Sequence, residues 1–197
     1  MKKLTLALMA FIVLGVTACS NPEDEAKERL ETTTLSNFRS VPLVAADDAM
    51  IRFFMGKAKI PESAFVGMRS CFSEYANAKA KSITTSTALG WCQNEFERGD
   101  ENFSKHVDLT PFLNLFSQWD GAFTPIEDSV KKSLHDPESY KHSETRYVLH
   151  LSAKEPYASV TLAFHAKNGF GAMRKGSVNC DVDLKTLDIK LTGTDGL

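Results

Sequence analysis

Two carboxylates stand two positions apart in Asp136-Pro137-Glu138-Ser139, the residue type that acid–base hydrolysis employs. Asp before Pro is also the ordinary way to start a turn, with the ring setting φ, and the turn reading is preferred. Ser129-Val130-Lys131-Lys132 has the spacing at which a lysine can activate a serine nucleophile. The Ser-Asp-Asn and Lys-Thr-Gly elements that accompany such a serine are absent from the chain. Its lysines are read as the solvated side of an amphipathic helix. His106, His135 and His142 lie in polar loop or helix-end contexts, where solvated imidazoles are ordinary. Trp91 and Trp119-Asp120 read as core or interface aromatics. No Gly-x-Ser-x-Gly elbow, phosphate-cradling loop or dinucleotide fingerprint occurs. No catalytic, cofactor-binding or metal-ligating set is therefore expected.

The elements that would position these residues fall into two halves. Residues 20–32 are polar and acidic and read as a solvated spacer, helical at most from Pro22. Asp47–Phe54 reads as a short helix capped by an aspartate. Ser63 can cap a helix carrying Phe65, Met68, Phe72, Tyr75 and Ala76 at three- and four-residue spacing. A second helix runs through Leu89, Trp91, Cys92 and Phe96 to Gly99, completing a helical hairpin. Leu109–Trp119 reads as a further apolar helix started by Thr110-Pro111.

After Thr124-Pro125, a helix through Ile126, Val130 and Leu134 gives way to alternating strands. Pairing Leu151 with Val160, Leu149 with Leu162 and Tyr147 with Phe164 puts all six on one face. That register sets His150 opposite Thr161 and His165 opposite Arg146. The two histidines are then about 13 Å apart, too far to share a metal ion. Val178, Cys180 and Val182 form a third strand, with Gly176 as a bulge, and Leu187, Ile189 and Leu191 a fourth. The expected fold class is α+β, with an N-terminal helical hairpin region followed by a helix packed on a four-stranded antiparallel meander. The expected divisions are 1–18, 19–40, 41–121 and 122–197.

The N-terminus carries localisation signals. Lys2 and Lys3 precede an uncharged apolar run from Leu4 to Leu14. As a helix this run spans roughly 16 Å, too short for a hydrocarbon core of about 30 Å, and it reads as a cleaved signal peptide. Val16-Thr17-Ala18-Cys19 resembles the lipobox of bacterial lipoproteins. The resemblance implies cleavage after residue 18, lipidation of Cys19 and, with Ser20 next, an outer-membrane anchor at the periplasmic face. Losing two lysines would take the formal net charge from −2 to −4. With no basic stripe, nucleic acid is excluded as an expected partner. Outside the cytoplasm two of Cys71, Cys92 and Cys180 are expected to be joined. Cys71–Cys92, 21 residues apart on neighbouring helices, is the preferred pair and closes a loop for roughly 3 kcal/mol. The alternatives are that Cys180 takes one of them or that all three stay reduced.

Residues 126–172 resemble a small domain common in uncharacterised bacterial lipoproteins, carried here by Leu134–Ser139 and by Ala166-Lys167-Asn168-Gly169-Phe170-Gly171. That family implies an α+β fold and an envelope location and transfers no catalytic residue. The expected function is that of a non-catalytic envelope lipoprotein, held to the membrane by its lipid and binding a periplasmic or surface protein partner. Structural or stress-related support of envelope assembly, or an envelope hydrolase, are the alternatives.

Overall fold

A computed structural model describes residues 21–196; Cys19 and the segment 1–18 lie outside the described residues. Helix α1 (Pro22–Thr32) begins where Asn21 Oδ1 accepts from Glu23 N, with Pro22 at the start and Glu23, Asp24 and Glu25 on the positive end of the helix dipole. The solvated spacer is corrected here. Ala26 and Leu30, four positions apart, are buried against α2 (Ala45–Ala58), and Arg29 pairs with buried Asp47. Two apolar residues suffice because they share one face and an ion pair flanks them. Helix α2 is longer than expected at both ends. Its aspartate acts from the third helical position, Asp47 Oδ2 accepting from Val44 N at 2.9 Å.

Helices α3 (Phe65–Ala78) and α4 (Thr85–Glu97) form the expected hairpin. Ser63 makes no cap; a 3-10 turn over Glu62–Ala64 leads into α3 instead. Thr84 Oγ1 caps α4 by accepting from Thr87 N, and Gly99 leaves it at φ +62°. Cys71 and Cys92 are joined, their Cα atoms 5.9 Å apart, and Cys180 is free and buried. Met50, Ile51, Met68, Phe72 and Leu89 fill the core of this half around the bridge.

The apolar run from Leu109 yields only one helical turn, α5 (Thr110–Leu113). Turn chemistry wins over apolar content. Ser117 N donates to Ala122 O at 2.8 Å, Asp120 Oδ1 accepts from Ala122 N, and Gly121 supplies φ +73°. The chain doubles back so that Phe112, Phe116 and Phe123 pack together, Phe112 edge-on to Phe116.

Helix α6 (Thr124–Ser133) is followed by β1 (Lys141–His150), β2 (Tyr157–Lys167), β3 (Met173–Asp183) and β4 (Ile189–Asp195), an antiparallel meander in the order β1-β2-β3-β4. The fold is α+β. Val160, Leu162 and Phe164 of β2 and Val178, Cys180 and Val182 of β3 face inwards onto Ile126 and Val130 of α6 and onto Phe112 and Phe123. The sheet's core already includes Val107 and Leu109, ahead of the expected division at 121/122.

The register differs from expectation. Tyr147 pairs with Val160 and Leu149 with Ala158, so His150 lies opposite Tyr157 and His165 opposite Lys141. From Glu144 to His150 the slip is four places, an even number that keeps Tyr147 and Leu149 on their expected face; before the irregularity at His142/Glu144 it is five. It arises because β1 stops at His150 and residues 151–156 make a longer turn, held by Leu184 N donating to the carbonyl of buried Pro156. Gly176 is not a bulge. It lies in β3 beneath Phe164, where an added Cβ would meet the ring at 2.5 Å. The irregularities fall instead between His142 and Glu144 and between Asn179 and Cys180. The fourth strand starts later than expected because Leu187 occupies a left-handed turn, and Ile189 and Leu191 are exposed on the edge strand.

The two halves meet along polar seams. Thr110 Oγ1 accepts from Leu43 N, Ser73 Oγ accepts from Leu109 N, and Arg69 bridges Asp48 and Asp108.

Candidate functional site

Two places on the molecule gather polar chemistry. The first is beside the disulfide. Glu74 and Tyr75 are adjacent on α3, Glu95 lies one turn after Cys92 on α4, and His106 closes a 3-10 turn that packs against both helices. His106 Nδ1 sits 3.2 Å from Glu74 Oε2, and its Nε2 sits 2.7 Å from Glu95 Oε2. Tyr75 donates its phenolic hydrogen to the other oxygen of Glu95, and Val107 N donates to Glu74 Oε2. The imidazole side chain is only 8% exposed. Burial pushes its pKa down, but the hydrogen bonds and charges of the two carboxylates outweigh burial and raise it above the ordinary 6.5. Burial, then the hydrogen bond to Glu95, raises the Tyr75 phenol as well. Cys71 Sγ, a Glu95 oxygen and a His106 nitrogen all lie within 4.8 Å of one another.

His106 is thus no solvated loop histidine. Its partners are more than ten residues away along the chain, so sequence spacing carries no signal for the cluster. Only the hairpin and the returning loop bring it together.

The second place is a cleft of about 750 Å³ between the helical half and the free edge of β1. Among the described residues β1 pairs only with β2, so its other side offers backbone groups that no described strand pairs. Arg39, Ser40 and Asn77 face it from the helical half, with Arg146, Val148 and Leu151 on the strand side. Ser40 is held at φ +58° by Asn77 Oδ1 accepting from its amide, and its hydroxyl accepts from Tyr147. Arg39 donates to Lys79 O through one terminal nitrogen, while its buried Nε finds no acceptor among the described residues. Two guanidinium groups line this cleft, that of Arg146 paired with Glu144 at 2.6 Å on the same strand.

Asp136 precedes a 3-10 turn over Pro137–Ser139 that contains Glu138, and Ser139 Oγ donates to Asp136 O and accepts from Lys167 N. The segment fastens the turn to β2. Ser129 and Lys132 are exposed, while Lys131 pairs with Glu127 and lies over the Tyr140 ring. His142 contacts Thr145 and Asp120; His135 and His165 are exposed. On the outer face of the sheet, Ser159 Oγ donates to Asp181 and lies 3.3 Å from His150 Nε2, with the His150 ring stacked on Tyr157. The serine, not the histidine, is central, so the carboxylate does not orient a base and this is not a nucleophile–base–acid relay. Trp91 packs edge-on against Tyr75. Trp119, expected in a core or interface, is 98% exposed at the tip of the 117–121 turn. Cys180 is buried at the centre of β3, and burial, with the Asp181 charge, pushes its thiol up to about 11. Cys19 lies outside the described residues. No protein family, curated protein or solved structure matches the chain.

Proposed function

We propose that this protein is a non-catalytic lipoprotein of the bacterial envelope, anchored through Cys19, that captures an extended acidic segment of a partner protein along the β1 edge. The observation that carries the reading is the cleft itself: an unpaired strand edge beside two arginines, one of them with an unmatched buried N–H. An added strand gains main-chain hydrogen bonds from the edge, and the guanidinium groups select for carboxylates. The N-terminal sequence supports the envelope location, and the Cys71–Cys92 bond agrees with an oxidising compartment.

A photoactivatable residue at Val148, compared with one at Asp128 on the outer side of α6, tests this in intact envelopes. Adducts at position 148 that map to an acidic extended segment, and that Arg39→Ala or Arg146→Glu reduces at least about tenfold, are expected. Equal labelling at both positions, or labelling indifferent to both arginines, overturns it. Cys19→Ser tests the anchor separately: the substituted protein should leave the membrane fraction and lose the lipid mass.

A further inference from the structure

The cluster around His106 has the parts of a metal centre whose sulfur ligands are tied to each other. Cys71 Sγ is already within 4.8 Å of the donor atoms of Glu95 and His106, and Cys92 Sγ is bonded to Cys71 Sγ. Tetrahedral zinc with bonds of roughly 2.0–2.3 Å needs ligand atoms about 3.3–3.8 Å apart, so Cys71 must draw in by at most about 1 Å, while the two bonded sulfurs and the hydrogen-bonded His106–Glu95 pair must move apart. The surroundings are already arranged for it. Glu74 holds the Nδ1 side of the imidazole and leaves Nε2 pointing at Glu95, the carboxylate–histidine arrangement that orients zinc-bound imidazoles. Tyr75 engages one Glu95 oxygen and leaves the other facing the ring. A cleft lined by Tyr75, Trp91, Asn94 and Arg98 reaches Glu95 from one side, and a second cleft reaches His106 from the other.

We infer that reduction of the Cys71–Cys92 bond by a protein dithiol converts this cluster into a zinc site with Cys71, Cys92, Glu95 and His106 as ligands. The dithiol supplies two electrons and two protons and becomes a disulfide. The bond between the sulfurs breaks, giving two thiols. Zinc then displaces one proton from each thiol and the proton of His106 Nε2, all released to solvent, and binds the two thiolates and the freed Nε2 lone pair without changing its own oxidation state. Oxidation by a protein disulfide runs the sequence backwards and expels the metal. Disulfide and zinc are alternative closures of one helical hairpin.

The test uses the full-length chain in detergent, oxidised or reduced with a phosphine, titrated with zinc alone and then with cobalt. The reduced chain should take up one zinc by native mass spectrometry, and cobalt should give a thiolate charge-transfer band; the oxidised chain should show neither. Glu95→Gln and His106→Ala should each weaken binding at least about tenfold, and Glu74→Gln about 10–100-fold. The Cys71→Ser/Cys92→Ser double substitution should abolish binding. Equal zinc uptake by oxidised and reduced chains, or uptake that survives the double substitution, overturns the inference. Should the reduced chain lose its helical circular dichroism, zinc must restore it. A reduced chain that stays unfolded in saturating zinc overturns the inference as well.

Discussion

Single side chains decide how the hairpin responds to pH. His106 lies between the Glu74 and Glu95 carboxylates, whose hydrogen bonds and charges hold its folded pKa above its ordinary value against the opposing effect of burial. Its contribution is therefore complete below about pH 6.5 and is lost as pH rises through the raised folded value. The melting temperature of the oxidised chain should fall across that window, and His106→Gln should remove that slope; a parallel slope in both proteins would refute the assignment. Gly176 is a second point of sensitivity. A methyl group there meets the Phe164 ring inside a packed sheet, so Gly176→Ala should destabilise by about 1–3 kcal/mol in denaturant titration. Asp47 is a third. It accepts from Arg29 and from the start of α2 while buried, so Asp47→Asn should cost about 1–3 kcal/mol.

At the level of elements, the strands and helices were legible where one force dominated. Alternation in Tyr147–Leu149 and Ala158–Phe164 set the inward face, and the even slip in register did not disturb it. The disulfide followed from two cysteines on neighbouring apolar helix faces. Removing it by Cys71→Ser/Cys92→Ser in zinc-free buffer should lower stability by roughly 3 kcal/mol, read from the shift in denaturant midpoint. The segment 109–119 was not legible, because its apolar residues suit a helix and a stacked turn equally well. Ser117, Asp120 and Gly121 decided for the turn through local hydrogen bonds. Nor was α1 as a packed element: its two buried residues are few, and Asp47, its ion-pair partner, lies eighteen positions away. The His106 cluster escaped for the same reason. Its members come from three separate stretches, and His106, expected as a solvated loop imidazole, is buried between the carboxylates of the other two.

For the whole molecule, two hydrophobic cores are coupled through a polar seam, not through one continuous apolar interior. Arg69 sits at that seam, bonded to Asp48 of α2 and to Asp108 of the returning loop. Arg69→Ala should uncouple the halves, splitting a single thermal transition into two in calorimetry; one sharp transition at an unchanged temperature would show that the seam does little. The β1 cleft lies along the same junction, so loosening it should also weaken capture of the proposed peptide. The early start of α1 bears on where that capture could happen. Under the proposed lipidation, only three residue steps separate Cys19 from Pro22, a leash of at most about 11 Å when fully stretched. A body so closely moored cannot roam the space between membranes; whatever it grips must come down to the bilayer surface to be gripped.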